Sequence, residues 1–257
     1  LQHMPRRKSN LQVISQYEDE VRQPQKNNQC KIKIDDLKTI GAMTETQGQF
    51  FSQYSQGAQA MLLHGSAGTG KTFIALYKAL EEVLDPSTQY EKVVIIRSAV
   101  ASRDIGHLPG DQDEKSAVYM QPYIDMCEKL IPQKKGAWKR LIDTKAVEWM
   151  ITSFVRGITL DDSIVIVDEC QNMNDMELNS VLTRLGENSK IVLCGDFRQS
   201  DLYKHRGDMS GLQKFMVIAE DMKSFKIIEF TADDIVRSKF VREYIMARMR
   251  YEDAHGS

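Results

Sequence analysis

The sequence predicts an α/β protein, a single domain with a mostly parallel sheet and helices on both faces. Three observations predict it. Short apolar runs, most of them rich in β-branched residues, recur at 61–64, 93–97, 164–168, 191–195 and 226–230, with a weaker one at 150–154. Segments with apolar residues at helical spacing lie among them, at 73–84, 116–131, 175–185 and 239–250. Polar, glycine-containing clusters follow several of the strands. Strands alternating with helices require crossovers of one hand, which make the sheet parallel and gather the loops after the strands along one edge. That edge is where ligands bind in such sheets.

In chain order, the first thirty residues carry Arg6-Arg7-Lys8, many Asn and Gln, and few large apolar side chains. Such a segment buries too little to offset its ordering entropy. It reads as a flexible N-terminal arm over 1–30, before a domain over 31–257. The run 61–64 is apolar enough for a buried parallel strand. It enters Gly65-Ser66-Ala67-Gly68-Thr69-Gly70-Lys71-Thr72, which fits G-x-x-x-x-G-K-[ST], the phosphate-binding P-loop or Walker A segment. The glycines let successive backbone N–H groups aim at one point, and the positive end of the next helix adds to their field. Lys71 reaches β- and γ-phosphates, and Thr72 is placed to ligate Mg²⁺. Ile74, Tyr77, Leu80 and Leu84 then recur at helical spacing, up to a stop at Asp85-Pro86. Strand, glycine loop and helix are the setting the motif needs, so the domain is a P-loop NTPase.

The strand 164–168 is Ile-Val-Ile-Val-Asp, with Glu169 next. Two carboxylates at the end of a buried strand are costly unless a cation or a polar cleft receives them. Asp168 suits the outer shell of Mg²⁺ and Glu169 suits polarising the attacking water. The following strand, 191–195, ends in Gly195-Asp196-Phe197-Arg198-Gln199. Gln199 is a candidate sensor of the γ-phosphate or water, with Gln171 a second, and Asp196 is a candidate to cap the loop or support Mg²⁺. Phosphoryl transfer also needs positive charge on the transition state, from Lys71 and commonly from an arginine. Arg97, Arg156, Arg198 and Arg237 are the candidates.

The bulk properties bound the rest. A chain of 257 residues can hold a sizeable core, and a net charge of −2 confines any nucleic-acid site to a local patch. One such patch is Gln133-Lys134-Lys135-Gly136-Ala137-Trp138-Lys139-Arg140, which reads either as a phosphate grip with a base-stacking Trp or as a solvated helix end with a packed Trp. Cys30, Cys127, Cys170 and Cys194 form no C-x-x-C pair, and the five histidines are scattered, which argues against zinc. No apolar run approaches the roughly 18 residues that span a bilayer, and no signal peptide is seen. The expectation is a cytoplasmic protein without a membrane partner.

With these residues in hand, the chain resembles the PhoH family of P-loop ATPases, in particular its short, phage-type, single-domain members; for a phage-encoded protein the cytoplasm is the host's. The resemblance covers about 47–244. It rests on Gly65-Ser66-Ala67-Gly68-Thr69-Gly70-Lys71-Thr72, on Arg97-Ser98-Ala99-Val100 followed by Gly106-His107-Leu108-Pro109-Gly110-Asp111 and Glu114-Lys115, and on Arg156-Gly157. Asp168-Glu169-Cys170-Gln171-Asn172, Thr183-Arg184-Leu185-Gly186, Gly195-Asp196 with Gln199, and Val236-Arg237 complete it. Cys170 stands where the family more often has Ala, and Val236-Arg237-Ser238 departs from the family's usual Arg-His pair.

The resemblance implies a RecA-like core similar to the motor domain of superfamily 1 helicases, with ATP and Mg²⁺ bound. It implies that Thr46-Gln47 approaches the adenine and that the loop after Arg97 faces single-stranded RNA or DNA. Some family members carry a PIN nuclease domain; the first sixty residues here are too few for one and lack its acidic cluster, so nuclease activity is not expected. Fewer than sixty residues follow Gln199, against about 100 for a second motor domain. The expectation is therefore a homo-oligomeric ring, a hexamer by analogy with P-loop motors, with Arg237 of one subunit, or Arg198, reaching the neighbour's γ-phosphate. Two other classes stay open: a non-catalytic ATP-dependent interaction module, and a P-loop nucleotide or small-molecule kinase.

Overall fold

Six strands form one sheet: β1 (Ala60–Gly65), β2 (Lys92–Arg97), β3 (Val147–Ile151), β4 (Ser163–Asp168), β5 (Lys190–Gly195) and β6 (Phe225–Phe230). Their order is β3-β2-β4-β5-β1-β6, and every adjacent pair is parallel. Seven α-helices accompany them among the described residues: α1 (Glu45–Ser55), α2 (Lys71–Leu84), α3 (Gln112–Leu130), α4 (Ala137–Asp143), α5 (Asp175–Leu182), α6 (Gly211–Glu220) and α7 (Lys239–His255). The computed structural model describes residues 31–98, 112–197 and 211–255, the side chains of 112–118 excepted. The expectations placed on Arg198, Gln199 and residues 99–111 therefore lie outside the described residues, as does the N-terminal arm.

The central strands are buried on both faces, as in a parallel sheet with crossover helices, while the edge strand β6 exposes Lys226, Ile227 and Glu229. Every residue of β4 and of β5 is buried. Side chains alternate between two cores. Met61, Leu63, Ile95 and Ile166 pack with Phe50 and Tyr54 of α1, Ile74 and Leu80 of α2, Tyr123 and Cys127 of α3, and Trp138 of α4. Leu62, Val94, Val165 and Leu193 pack on the other face with Leu178 and Val181 of α5 and Leu212 and Phe215 of α6. This is the α/β architecture the sequence predicts.

Local sequence explains where the elements start. Thr44 caps α1, its hydroxyl accepting from the Gln47 backbone N–H at 3.3 Å. Asn174 and Glu177 form a reciprocal capping box at the start of α5. The weak apolar run at 150–154 enters the sheet earlier than its composition suggests. β3 pairs over Val147–Ile151, and Thr152–Phe154 turns into a short 3-10 helix. As an edge strand, β3 keeps a polar residue, Glu148, which bonds the Lys92 ammonium at 3.0 Å. One charged residue thus interrupts an otherwise apolar strand, and the run read at 150–154 begins only past it.

The strand order fixes the geometry of the site. β5 lies between β1 and β4, so the ends of those two strands stand about 10 Å apart, with a cleft above β5. The exit of β1 is held by β6: the Ser66 N–H donates to the Phe230 carbonyl oxygen at 2.8 Å. Gly65 has φ +120°, and a Cβ there would collide with the Phe230 carbonyl. Gly65→Ala is expected to destabilise the fold by at least ~2 kcal/mol, from left-handed strain and the collision together. Urea denaturation would measure it; a midpoint matching the wild type would show that β6 yields without cost.

Candidate functional site

The loop between β1 and α2 wraps around its own lysine. Gly68 and Gly70 take φ +75° and +82°, a region open to glycine at little cost. Lys71 is 4% exposed. Its ammonium donates to Ser66 O at 2.7 Å and to Thr69 Oγ1 at 3.1 Å, and pairs with Asp196 Oδ1 at 2.7 Å. Thr69 Oγ1 in turn donates to Ser66 O at 3.1 Å. The lysine ammonium thus has three partners. Asp196, 41% exposed in its side chain, is the one partner that water or an incoming anion can replace readily.

The residue after the lysine crosses the cleft. The Thr72 hydroxyl donates to Asp168 Oδ1 at 2.7 Å. Cis ligands of Mg²⁺, at about 2.1 Å from the ion, stand about 3 Å apart. The 2.7 Å separation is that of an ordinary hydrogen bond, and it is compatible with both oxygens serving one Mg²⁺, directly or through its water. No cluster of three or more His, Cys, Asp or Glu suited to a metal occurs among the described residues. Asp168 is buried, and its second oxygen accepts from the Tyr123 hydroxyl at 2.6 Å.

Glu169 follows with φ +52°, left-handed backbone that costs about 1–3 kcal/mol in a non-glycine residue. The twist turns its side chain from the strand end toward the cleft residues. Gln171 Nε2 donates to Glu169 Oε2 at 2.6 Å, while Gln171 Oε1 accepts from the Asp196 N–H at 3.2 Å. Gln171 therefore ties the loops after β4 and β5 together. Arg97, at the end of β2, brings Nη2 within 4.0 Å of Glu169 Oε1 and lies over the Tyr119 ring at 5.5 Å. Burial, then the neighbouring Asp168 charge, lifts the Glu169 carboxyl above the usual carboxylate range, against the pull of Gln171 and Arg97. A carboxylate that prefers a proton is suited to receive one from water.

Gln47 sits beside the loop, but its amide is occupied there. Oε1 accepts from the Met43 N–H at 2.8 Å, and Nε2 donates to Thr69 O at 2.9 Å, with the residue 2% exposed. In this arrangement it braces the phosphate loop against the start of α1. Arg237 lies against its own chain's loop: its Cγ would meet a Cβ on Gly68 at 3.1 Å, and the Val236 N–H donates to Gly68 O at 3.0 Å. Helix α7 follows and leans over the same loop. A cavity of about 320 Å³ separates Ser66, Ala67 and Asp196 from Ile245, Arg248 and Met249.

The structure thus brings Lys71, Thr72, Asp168, Glu169, Gln47 and Arg237 to one edge of the sheet. Arg156 is exposed on the loop after β3. The Trp of the basic segment is not offered to a base: Trp138 is 8% exposed and stacks on Tyr123 at 6.3 Å and 22°. The reading of that segment as a helix end with a packed Trp is the one the structure adopts, with Lys134 paired to Asp36 and Lys139 to Asp143. Tyr123 is the site residue that sequence reasoning misses. It reads as one more apolar position of an amphipathic helix, and nothing in the spacing distinguishes it from Met120 or Cys127.

The family described as "PhoH-like protein" matches residues 39–249. The PhoH-like protein of Mycobacterium tuberculosis (strain H37Rv) is 36% identical over 195 residues, covering 74% of this chain and 52% of that protein. Protein PhoH of Escherichia coli (strain K12) is 31% identical over 213 residues, covering 82% and 59%. The chain thus spans a little over half the length of these curated relatives. Among solved structures, the large terminase of a thermophilic bacteriophage in complex with ADP aligns at a TM-score of 0.49 and 14% identity. That alignment covers 83% of this chain and 50% of the terminase chain.

Proposed function

This chain belongs to the PhoH-like protein family, and from that footing we propose that it is a Mg²⁺-dependent ATPase, coupled to single-stranded RNA or DNA in a homo-oligomeric ring. One observation carries the ATPase reading. Lys71 and Thr72 of the phosphate loop meet Asp168 and Glu169 across one cleft, with Thr72 already bonded to Asp168. The N–H groups of residues 66–72 and the Lys71 ammonium bind the β- and γ-phosphates, Lys71 exchanging Asp196 for a phosphate oxygen. Thr72 and Asp168 would hold Mg²⁺, which would supply charge neutralisation at the phosphates. Glu169 accepts a proton from the attacking water as the γ-phosphorus gains that oxygen and releases ADP. Arg237 and Gln199 are our candidates for stabilising the transferred group and sensing it.

Exposed Phe240, Tyr244 and Tyr251 on α7, next to the phosphate loop, offer apolar surface to a neighbouring copy. No helix among the described residues is long and apolar enough to cross a membrane, in keeping with a proposed cytoplasmic location.

Phosphate release from ATP should require Mg²⁺ and rise on adding one of single-stranded RNA, single-stranded DNA or duplex. Transfer of phosphate to an acceptor would identify a kinase instead, and tight ATP binding without turnover a non-catalytic module. Mixing Arg237→Ala with Lys71→Ala subunits tests the ring. Recovered activity places Arg237 in trans; a protein that is monomeric at micromolar concentration with ATP and Mg²⁺, yet fully active, excludes it. The position of Arg237 beside its own Gly68 is the one a cis role would use, so the mixing result discriminates directly.

A further inference from the structure

Tyr123 is wholly buried, and its hydroxyl is spent on one partner, Asp168 Oδ2. With Thr72 on Oδ1, each oxygen of that carboxylate accepts a short hydrogen bond, at 2.6 and 2.7 Å, from hydroxyls on two different helices. A phenylalanine would fill the same space in the core, so packing alone does not require the hydroxyl. The ring is itself fixed by the buried Trp138 of α4, on which it stacks. One helical turn earlier, Tyr119 lies under Arg97, the residue that faces Glu169.

We infer that Tyr123 is a positioning residue, which orients the Asp168 carboxylate for the divalent cation and acts only through Asp168. The inference rests on the reading of Thr72 and Asp168 as the cation's ligands. A hydroxyl donating to Oδ2 stops the carboxylate from rotating and leaves a lone pair of each oxygen for other use. The same helix face, through Tyr119 and Arg97, also borders Glu169, so a shift of α3 would reach both acids together.

Tyr123→Phe keeps the ring and removes the donor. ADP affinity measured in EDTA should stay within about twofold of the wild type, while half-saturating Mg²⁺, for both ADP binding and ATP turnover, should rise about tenfold. Mn²⁺ bound with ADP, read by electron paramagnetic resonance, should weaken by the same factor. High Mg²⁺ should restore turnover, and the effect should vanish in an Asp168→Asn background, because Tyr123 then has no carboxylate to orient. If Tyr123→Phe does not melt like the wild type, Tyr123→Met offers the same loss of donor at similar volume. An unchanged Mg²⁺ requirement in a folded variant overturns the inference, as does a loss of ADP affinity in EDTA, which would mark a merely structural role. A wild-type protein indifferent to Mg²⁺ would sink the ATPase reading itself, and this inference with it.

Discussion

Lys71→Ala should lose at least about 10²–10³-fold in ATP turnover, and its ATP affinity should fall about 10–100-fold, as for lost charged hydrogen bonds. The reason lies in the burial of the ammonium. Lys71 is 4% exposed and is held by Ser66 O and Thr69 Oγ1, so it stands at the proposed phosphate site before any ligand arrives. Such a preorganised charge needs no reorganisation as the transferred group develops its own charge. Alanine removes it and leaves Ser66 O without that donor. Asp196, well exposed, is taken over by water, so the fold should survive, with melting close to the wild type. Isothermal titration with ATP and a phosphate-release assay would check both. A variant that keeps wild-type turnover would remove Lys71 from the chemistry.

Glu169→Gln should separate binding from turnover. The amide has the shape of the carboxylate, and its oxygen can still accept from Gln171, so the twisted backbone at residue 169 should hold. It cannot take a proton from water. Turnover should fall about 10²–10⁴-fold, the usual worth of a general base. ATP affinity should be unchanged or tighter, because a partly buried negative charge beside a polyphosphate is removed. Single-turnover hydrolysis and equilibrium binding on the same preparation measure the two quantities. Equal rates for variant and wild type would take Glu169 out of the role of base.

These two predictions draw on residues legible at different depths of the sequence. The phosphate loop is a local object: eight consecutive residues carry the turn glycines, the lysine and the hydroxyl, and no distant contact is needed to recognise them. Asp168 and Glu169 are legible because four apolar residues precede them, which places them at the end of a buried strand. Helix α1 escapes a reading by pattern because its sequence is mostly polar and only Phe50, Phe51 and Tyr54 mark a face. In the sequence α4 shows only as charge with an aromatic, and in the fold that aromatic turns inward to Tyr123.

The class of fold, the glycine loop with its lysine and the pair of acids are written in short-range pattern or period, and the chain alone specifies them. Packing in three dimensions settles that β5 lies between β1 and β4, that Gln47 spends its amide on Met43 and Thr69, and that Arg237 rests beside its own Gly68. It also settles that Asp168 is held by a tyrosine 45 residues away. The physical reason is that periodicity reports which side of an element is apolar and says nothing about which neighbour that side meets. The partner is chosen when whole helices pack on the sheet, and a buried hydroxyl then takes whichever acceptor that packing leaves within reach.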